Sequence, residues 1–235
     1  MTIIYRCQLE LHDSIYFATR EIGRLYETEP VIHNYALCYA LGLVDSEKYA
    51  TTVAEEDSYR YFCPEQIPKY KEHLTALNQQ GIYVTPASSI SHSSVLQTWK
   101  YANNNYHVEM EKTQKNIPGF GRTKEIAPES IFEFFIISQK DIKQILPHWI
   151  RLGKWMSKAE LIIEELKAKT TEGVFLCSHP LNPLDVMFTN QVFSYDVVNM
   201  PPVSLIQNAQ ISGRYYTFGE IKGFKLPATM EYRFS

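Results

Sequence analysis

Residues 3–12 read IIYRCQLELH, and they alternate. Ile3, Tyr5, Cys7, Leu9 and Leu11 fall on one side, and Ile4, Arg6, Gln8, Glu10 and His12 on the other. Successive side chains of a strand point to opposite faces, so this period-two pattern requires a β-strand with one buried face. A chain that begins this way needs a sheet covered on at least one side, which excludes an all-helical fold.

The rest of the chain supplies the cover. The stretch YFATREIGRLYETEP is polar, contains Gly23 and Pro30, and reads as a loop with a helical turn. VIHNYALCYALGL is apolar almost all round, follows Pro30 and meets Gly42 near its end, so it reads as a buried helix. A second helix is expected over 64–80, stopped by Gly81, and a strand over Ile82–Thr85. Residues 98–127 are polar, basic and aromatic, with Asn103–Asn105 and PGFG as turn signals; they are expected to protrude as a hairpin or long loop. IFEFFII reads as a buried strand, SQKDIKQILPHWI as a short helix capped by Ser138, and AELIIEEL as a strand. Between Gly173 and Gly213 only Asp185 and Asp196 are charged, and four prolines interrupt the stretch, so short strands with loops are expected. Met230, Tyr232 and Phe234 alternate with Glu231 and Arg233 as a last half-buried strand. This order of elements gives an α+β fold built on an antiparallel sheet.

With 235 residues, 45% of them hydrophobic, the chain can fill one large domain or two small ones. No run of about 18 apolar residues and no signal-like start occurs, so a cytoplasmic chain that does not contact membrane is expected. Cys7, Cys38, Cys63 and Cys177 are scattered and read as reduced core thiols. The net charge of −3 conceals a pattern. Residues 98–127 hold five basic against three acidic residues, 140–169 seven against four, and 211–235 four against two. Three such segments make one basic face if the fold brings them together; apart, they are solvated surface.

Enzyme signatures are sparse. His12-Asp13 is an isolated HD pair at a strand end, without the further ligands a metal phosphohydrolase needs. There is no phosphate-binding P-loop and no G-x-S-x-G elbow. A metal-independent ribonuclease needs only a base and a cation, which His107 with Tyr106 and Lys112, or His33 with Tyr26, supply in principle. No cofactor or metal is called for.

Three segments have the composition of phosphate and base binders. Arg20, Arg24 and Tyr26 precede a helix start that carries His33 and Asn34; alternatively, the arginines pair with Glu21, Glu27 or Glu29. IRLGKWMSK places Arg151, Lys154 and Lys158 around Gly153 and Trp155, with Trp155 either stacking on a base or entering the core. RYYTFGEIKGFKLP, from Arg214 to Pro227, carries Gly219, Lys222, Gly223 and Lys225. Lys222-Gly223-Phe224 opens like an RNA-reading RNP1 strand, but Lys225, Leu226 and Pro227 break that consensus. A glycine-rich hairpin turn with N–H groups free for phosphate remains.

Taken in this order, YRCQLELHDSIYFATREIGRLYETE, HNYALCYALGLV, IRLGKWMSKAEL and the C-terminal glycine-rich loop resemble a known family across the whole chain. It is the Cas-five-type subunit (Csc-one type) of type I-D CRISPR Cascade complexes, in the RAMP superfamily. The resemblance implies a single domain, 1–235, with a ferredoxin-like (RRM-type) antiparallel core. It further implies a thumb hairpin inserted at about 97–128, a smaller C-terminal β-rich part, and the glycine-rich loop at 213–227. It implies a non-catalytic subunit that holds the 5′ handle of the guide CRISPR RNA and caps the backbone filament. Its partners would be the Cas-seven-type backbone subunit, the large Cas-ten-type subunit and target DNA near the complex foot. On this resemblance Arg20, Arg24, Tyr26, His33 and Asn34 line the handle groove. Arg151, Lys154 and Lys158 contact handle phosphates, Trp99, Lys100, Arg122 and Lys124 sit on the thumb, and 173–213 faces a neighbour. The alternative is a metal-independent endoribonuclease that processes precursor CRISPR RNA.

Overall fold

The alternating first strand becomes the middle of a sheet. In the computed structural model, which describes residues 2–44, 68–101 and 119–234, β1 (Ile3–Leu11) lies between β9 (Ile131–Ser138) and β11 (Ser157–Leu166), antiparallel to both. Beyond β11 lies β10 (Trp149–Leu152). On the far side of β9, β5 (Ile82–Val84) and β6 (Ala87–Ser91) follow one another along the same edge, and β4 (Val31–Ile32) pairs with β6. Tyr5, Cys7 and Leu9 are 0% exposed, as the alternation requires. They pack with Phe132, Phe134 and Leu161 against helices α1 (Asn34–Ala40) and α2 (Tyr70–Gln80). Each such large apolar side chain contributes roughly 1.5–3 kcal/mol on burial, and a one-residue slip of β1 would exchange this set for Arg6, Gln8 and Glu10.

The helices end where the sequence stops them. His33 caps α1, its Nδ1 accepting the Tyr35 N–H at 3.2 Å. Gly42, at φ +69°, closes the helix: the Gly42 N–H donates to the Tyr39 carbonyl and the Leu43 N–H to the Cys38 carbonyl. α2 starts at Tyr70 and ends at Gly81; residues 64–67 of the expected helix lie outside the described ones.

The other face of the central sheet is half covered. β12 (Ala168–Cys177), β13 (Gln191–Val198), β14 (Leu205–Phe218) and β15 (Lys225–Pro227) form a second antiparallel sheet. Its Phe175, Ile211 and Leu226 pack with Ile4, Phe135 and Leu166 of the central sheet. The short strands expected for 173–213 are therefore parts of 10-, 8- and 14-residue strands. The prolines fall between them, at α3 (Pro183–Val186) and at the Pro201-Pro202 turn.

A third sheet is assembled from distant segments. β7 (Ser94–Tyr101) and β8 (Gly119–Ile126), in the stretch read as a hairpin or long loop, pair antiparallel; residues 102–118 between them lie outside the described ones. The stretch read as a loop is a second hairpin, β2 (Arg20–Ile22) and β3 (Leu25–Glu27), and β3 pairs parallel to β8.

Two further expectations give way. Ser138 ends β9 instead of starting a helix; its Oγ bonds within the turn at Lys140, and only a 3-10 turn at Lys143–Ile145 follows. Leu146 precedes Pro147, which holds it extended at ψ 133° and leaves no room for a longer helix. At the C-terminus, Tyr232 is buried as the alternation requires, but residues 230–234 form no strand. The Asn78 side chain accepts the Tyr232 N–H and donates to its carbonyl, both at 2.9 Å, taking the place of a neighbouring strand.

Candidate nucleic-acid interface

The β7–β8 hairpin and the GKW segment meet. β10 and β11 are joined by a tight turn in which Gly153 (φ +75°) and Met156 (φ +55°) are left-handed. The Lys154 N–H donates to the Tyr16 carbonyl at 2.8 Å. A Cβ on Gly153 would stand 2.8 Å from that same oxygen, so only glycine allows the approach. The turn presses Trp155 against Tyr16, with ring centroids 4.7 Å apart, and against Trp99 of β7 at 5.4 Å, edge to face. Trp99 is itself fixed by its Nε1–H bond to Thr123 Oγ1 at 3.2 Å. Trp155 therefore does not enter the core: it is 44% exposed, and it joins the hairpin turn to β7.

Cross-strand partners share a face, which divides the third sheet into two surfaces. One carries Arg122 opposite Thr98 and Leu25, Lys124 opposite Leu96 and Glu27, and Arg20 opposite Glu27. The other carries Trp99, Tyr26 and Thr123, together with Glu125, which is buried and accepts the Thr123 hydroxyl at 2.7 Å. On the cationic surface Glu27 is the central acid. It accepts two bonds from Arg20, at 2.6 and 3.1 Å, and stands 3.5 Å from Lys124 Nζ; Arg20 also reaches Glu29 at 3.2 Å. Chiefly through the Arg20 bond, Glu27 is held below the usual carboxylate range. Arg24 sits exposed in the β2–β3 turn, its carbonyl accepting the Arg122 N–H at 2.9 Å. Lys100 holds the β7 position opposite Phe120.

Along the β10–β11 hairpin, Arg151 is exposed and bonds the Met156 carbonyl at 3.1 Å. The Lys158 ammonium lies 3.8 Å over the Trp149 ring, and the Lys154 ammonium 5.9 Å from Tyr16. His12 meets Trp149 edge to face at 5.0 Å, and Asp13 accepts the Lys158 N–H at 2.9 Å; the HD pair is spent on the hairpin. Sequence reasoning missed Tyr16 and Trp149. The signal for Tyr16 was the aromatic pair Tyr16-Phe17 immediately after the first strand, and for Trp149 its alternation with Ile150.

Two expected site residues are placed inside the fold. His33 is 4% exposed; besides capping α1 it approaches the Val203 carbonyl through Nε2 at 3.2 Å, and burial pushes its pKa down to about 4. Asn34 is fully buried and donates to Asp185 Oδ2 at 3.1 Å. Asp185 also accepts the Tyr83 hydroxyl at 2.9 Å and the Arg233 N–H at 3.1 Å, while burial raises its pKa to about 7. Both side chains are thus committed to capping and to hydrogen bonds inside the fold, with only the edge of the His33 ring reaching a pocket beside Met200 and Pro202. His107, Tyr106 and Lys112 lie outside the described residues.

The glycine-rich loop belongs to another part of the molecule. It is the β14–β15 connection, where the Phe224 N–H closes a turn on the Ile221 carbonyl at 3.3 Å and Gly223 has φ +81°. Phe224 stacks on Phe135 at 4.8 Å and anchors the loop at the seam between the central and second sheets. Gly219, Lys222 and Gly223 are exposed, and a Cβ on either glycine would meet nothing within 4 Å. Lys225 lies 5.3 Å over the Tyr215 ring. Two of the three basic segments therefore meet directly, and the third is mounted on the second sheet.

No curated protein matches the sequence. Among solved structures, a chain of the type III-B Cmr-beta complex bound to cognate target RNA aligns at 15% identity with a TM-score of 0.44, over 71% of this chain. This chain spans 61% of the length of that one. A CRISPR protein from Archaeoglobus fulgidus aligns at 9% identity and a TM-score of 0.44, over 95% of this chain and 98% of its own. A chain of Cmr-beta bound to cognate target RNA and AMPPnP aligns at 9% and 0.47, over 88% and 86%. The family described as type I-D CRISPR-associated protein Cas5/Csc1 matches residues 2–235, nearly the whole sequence, and the chain belongs to that family.

Proposed function

We propose that this protein is a non-catalytic RNA-binding subunit of a type I-D CRISPR effector complex, which holds the 5′ handle of the guide RNA and caps the backbone filament. In that position it borders the Cas-seven-type backbone subunit, the large Cas-ten-type subunit and incoming target DNA. Family membership supports the setting. The observation that carries the RNA reading is the contact between the GKW turn and the β7–β8 hairpin, through Trp155 and Trp99, which sets Arg151, Lys154 and Lys158 beside the aromatic face of a hairpin whose opposite face carries Arg122 and Lys124. Exposed cations interleaved with aromatics suit a single-stranded phosphate backbone. The ferredoxin-like reading of the core rests on strand order. β11, β1, β9 and the β5–β6 edge follow the fourth-first-third-second order of a split βαβ pair, with α1 and α2 after the first strand and a 3-10 turn with β10 where the second helix would stand. No described helix is long and apolar enough to cross a membrane.

The test is to bind purified protein to labelled repeat RNA in EDTA. Retention without cleavage, falling steeply with salt, is expected. Lys154→Glu with Lys158→Glu should weaken retention at least tenfold, each lost phosphate contact also lowering the salt slope by about one. Site-specific cleavage would replace this reading with an endoribonuclease, and unchanged retention in the double variant would replace it with a protein-only scaffold.

A further inference from the structure

The sequence contains three tryptophans, and none of them is in the core. Trp99 is 50% exposed, and Trp149 and Trp155 are each 44% exposed. Indoles are ordinarily among the most extensively buried side chains, so three half-open ones on adjoining elements need a reason. Each is also held in place. Trp149 is gripped by the Lys158 ammonium and the His12 ring, Trp155 by Tyr16 and Trp99, and Trp99 by its bond to Thr123. The turn beneath Trp155 is pinned by the Lys154–Tyr16 backbone bond. A cleft of about 730 Å³ runs beside the hairpin between Tyr39 of α1, Phe17, Trp149, Arg151 and Met156, with room for a nucleotide.

We propose that the β10–β11 hairpin and the thumb root form a stacking track for unpaired bases. Trp149 and the Trp155–Trp99 pair take base faces, and Arg151, Lys154 and Lys158 neutralise the phosphates between them. The inference rests on the RNA reading above and adds how the strand is gripped: by the faces of splayed bases as well as by its charge. The cations favour RNA over an apolar protein partner, because each of the three lies beside an indole or at the turn that carries one. Rigid, solvent-facing rings lose little freedom on binding, which suits a sequence-tolerant grip.

The experiment compares two labelled single-stranded RNAs of equal length and charge, one intact and one with abasic positions, on the full-length protein at fixed salt. The intact RNA should bind about tenfold more tightly, since a stacked base accounts for a factor of that order. Trp149→Leu with Trp155→Leu should abolish the difference, while Trp155→Phe retains most of it. Neither change should alter the salt slope, because the phosphate contacts remain. Equal affinity for intact and abasic RNA overturns the track and leaves the RNA reading standing. Failure of both RNAs to bind overturns both.

Discussion

Gly153→Ala separates two costs that usually come together. The residue has φ +75°, where an L side chain costs about 1 kcal/mol or more. Its new methyl would also stand 2.8 Å from the Tyr16 carbonyl oxygen and 3.1 Å from Ile15 Cγ1. That oxygen accepts the Lys154 N–H at 2.8 Å, so moving the turn away sacrifices a bond with a net contribution of about 1 kcal/mol. With the strain of displacing packed backbone, the total should be about 3 kcal/mol. Gly42→Ala is the control: φ is +69° and a Cβ there meets nothing within 4 Å, so only the backbone cost of about 1 kcal/mol applies. For a chain of this size each kcal/mol lowers Tm by about 2–4 °C. Thermal melts should therefore show a loss of about 6–12 °C for Gly153→Ala and about 2–4 °C for Gly42→Ala. Equal losses would refute the claim that close approach to Tyr16, and not backbone handedness alone, fixes this turn.

The buried titratable groups pull in opposite directions. Asp185, raised by burial to about 7, holds a proton in the folded protein that the unfolded chain releases near pH 4, so its contribution falls as pH rises from about 4 to 7. His33 and His179, lowered by burial to about 4, do the reverse: their contribution is complete above pH 6.5 and is lost as pH falls toward 4. The Tm of Asp185→Asn relative to wild type should therefore climb between pH 4 and pH 8, by the equivalent of up to about 4 kcal/mol; a difference independent of pH would sink this account. On the third sheet, Glu27→Gln frees Arg20 and Lys124 of their shared carboxylate. RNA binding should tighten a few-fold and its salt dependence should steepen, as titrations at several salt concentrations would show.

β1 was legible in the sequence because local alternation alone specifies it, and β9 and β11 were legible as short apolar runs; none of the three needed knowledge of its partners. The β2–β3 hairpin was not legible. Its three-residue strands carry Arg20, Glu21 and Glu27, and β3 is stabilised by a parallel partner about a hundred residues away. The tail misled in a more specific way: alternation at Met230, Tyr232 and Phe234 reports burial correctly, but here a side-chain amide, Asn78, occupies the place of a strand. At the site, glycine and cations marked the GKW turn, whereas the stacking of Trp155 on Trp99 depends on tertiary docking that no window of sequence contains. His33 and Asn34 looked like ligands because a helix N-terminus attracts anions; the Val203 carbonyl and the Asp185 carboxyl that occupy them lie about 150 residues or more further along the chain.

β1 is made long before the strands that flank it. Both strands that flank it, β9 and β11, lie beyond residue 130, so its apolar face and both its edges must wait while more than half the chain is synthesised. At elongation rates of roughly 5–20 residues per second that wait lasts many seconds, and an unpaired strand of this composition is a site for intermolecular pairing. Arg6, Gln8 and Glu10, the polar half of the alternation, are what keep it soluble in the interval. The same residues that turn outward in the finished sheet thus guard the nascent one, and replacing them by apolar residues would be felt in the yield of folded protein before it was felt in its stability.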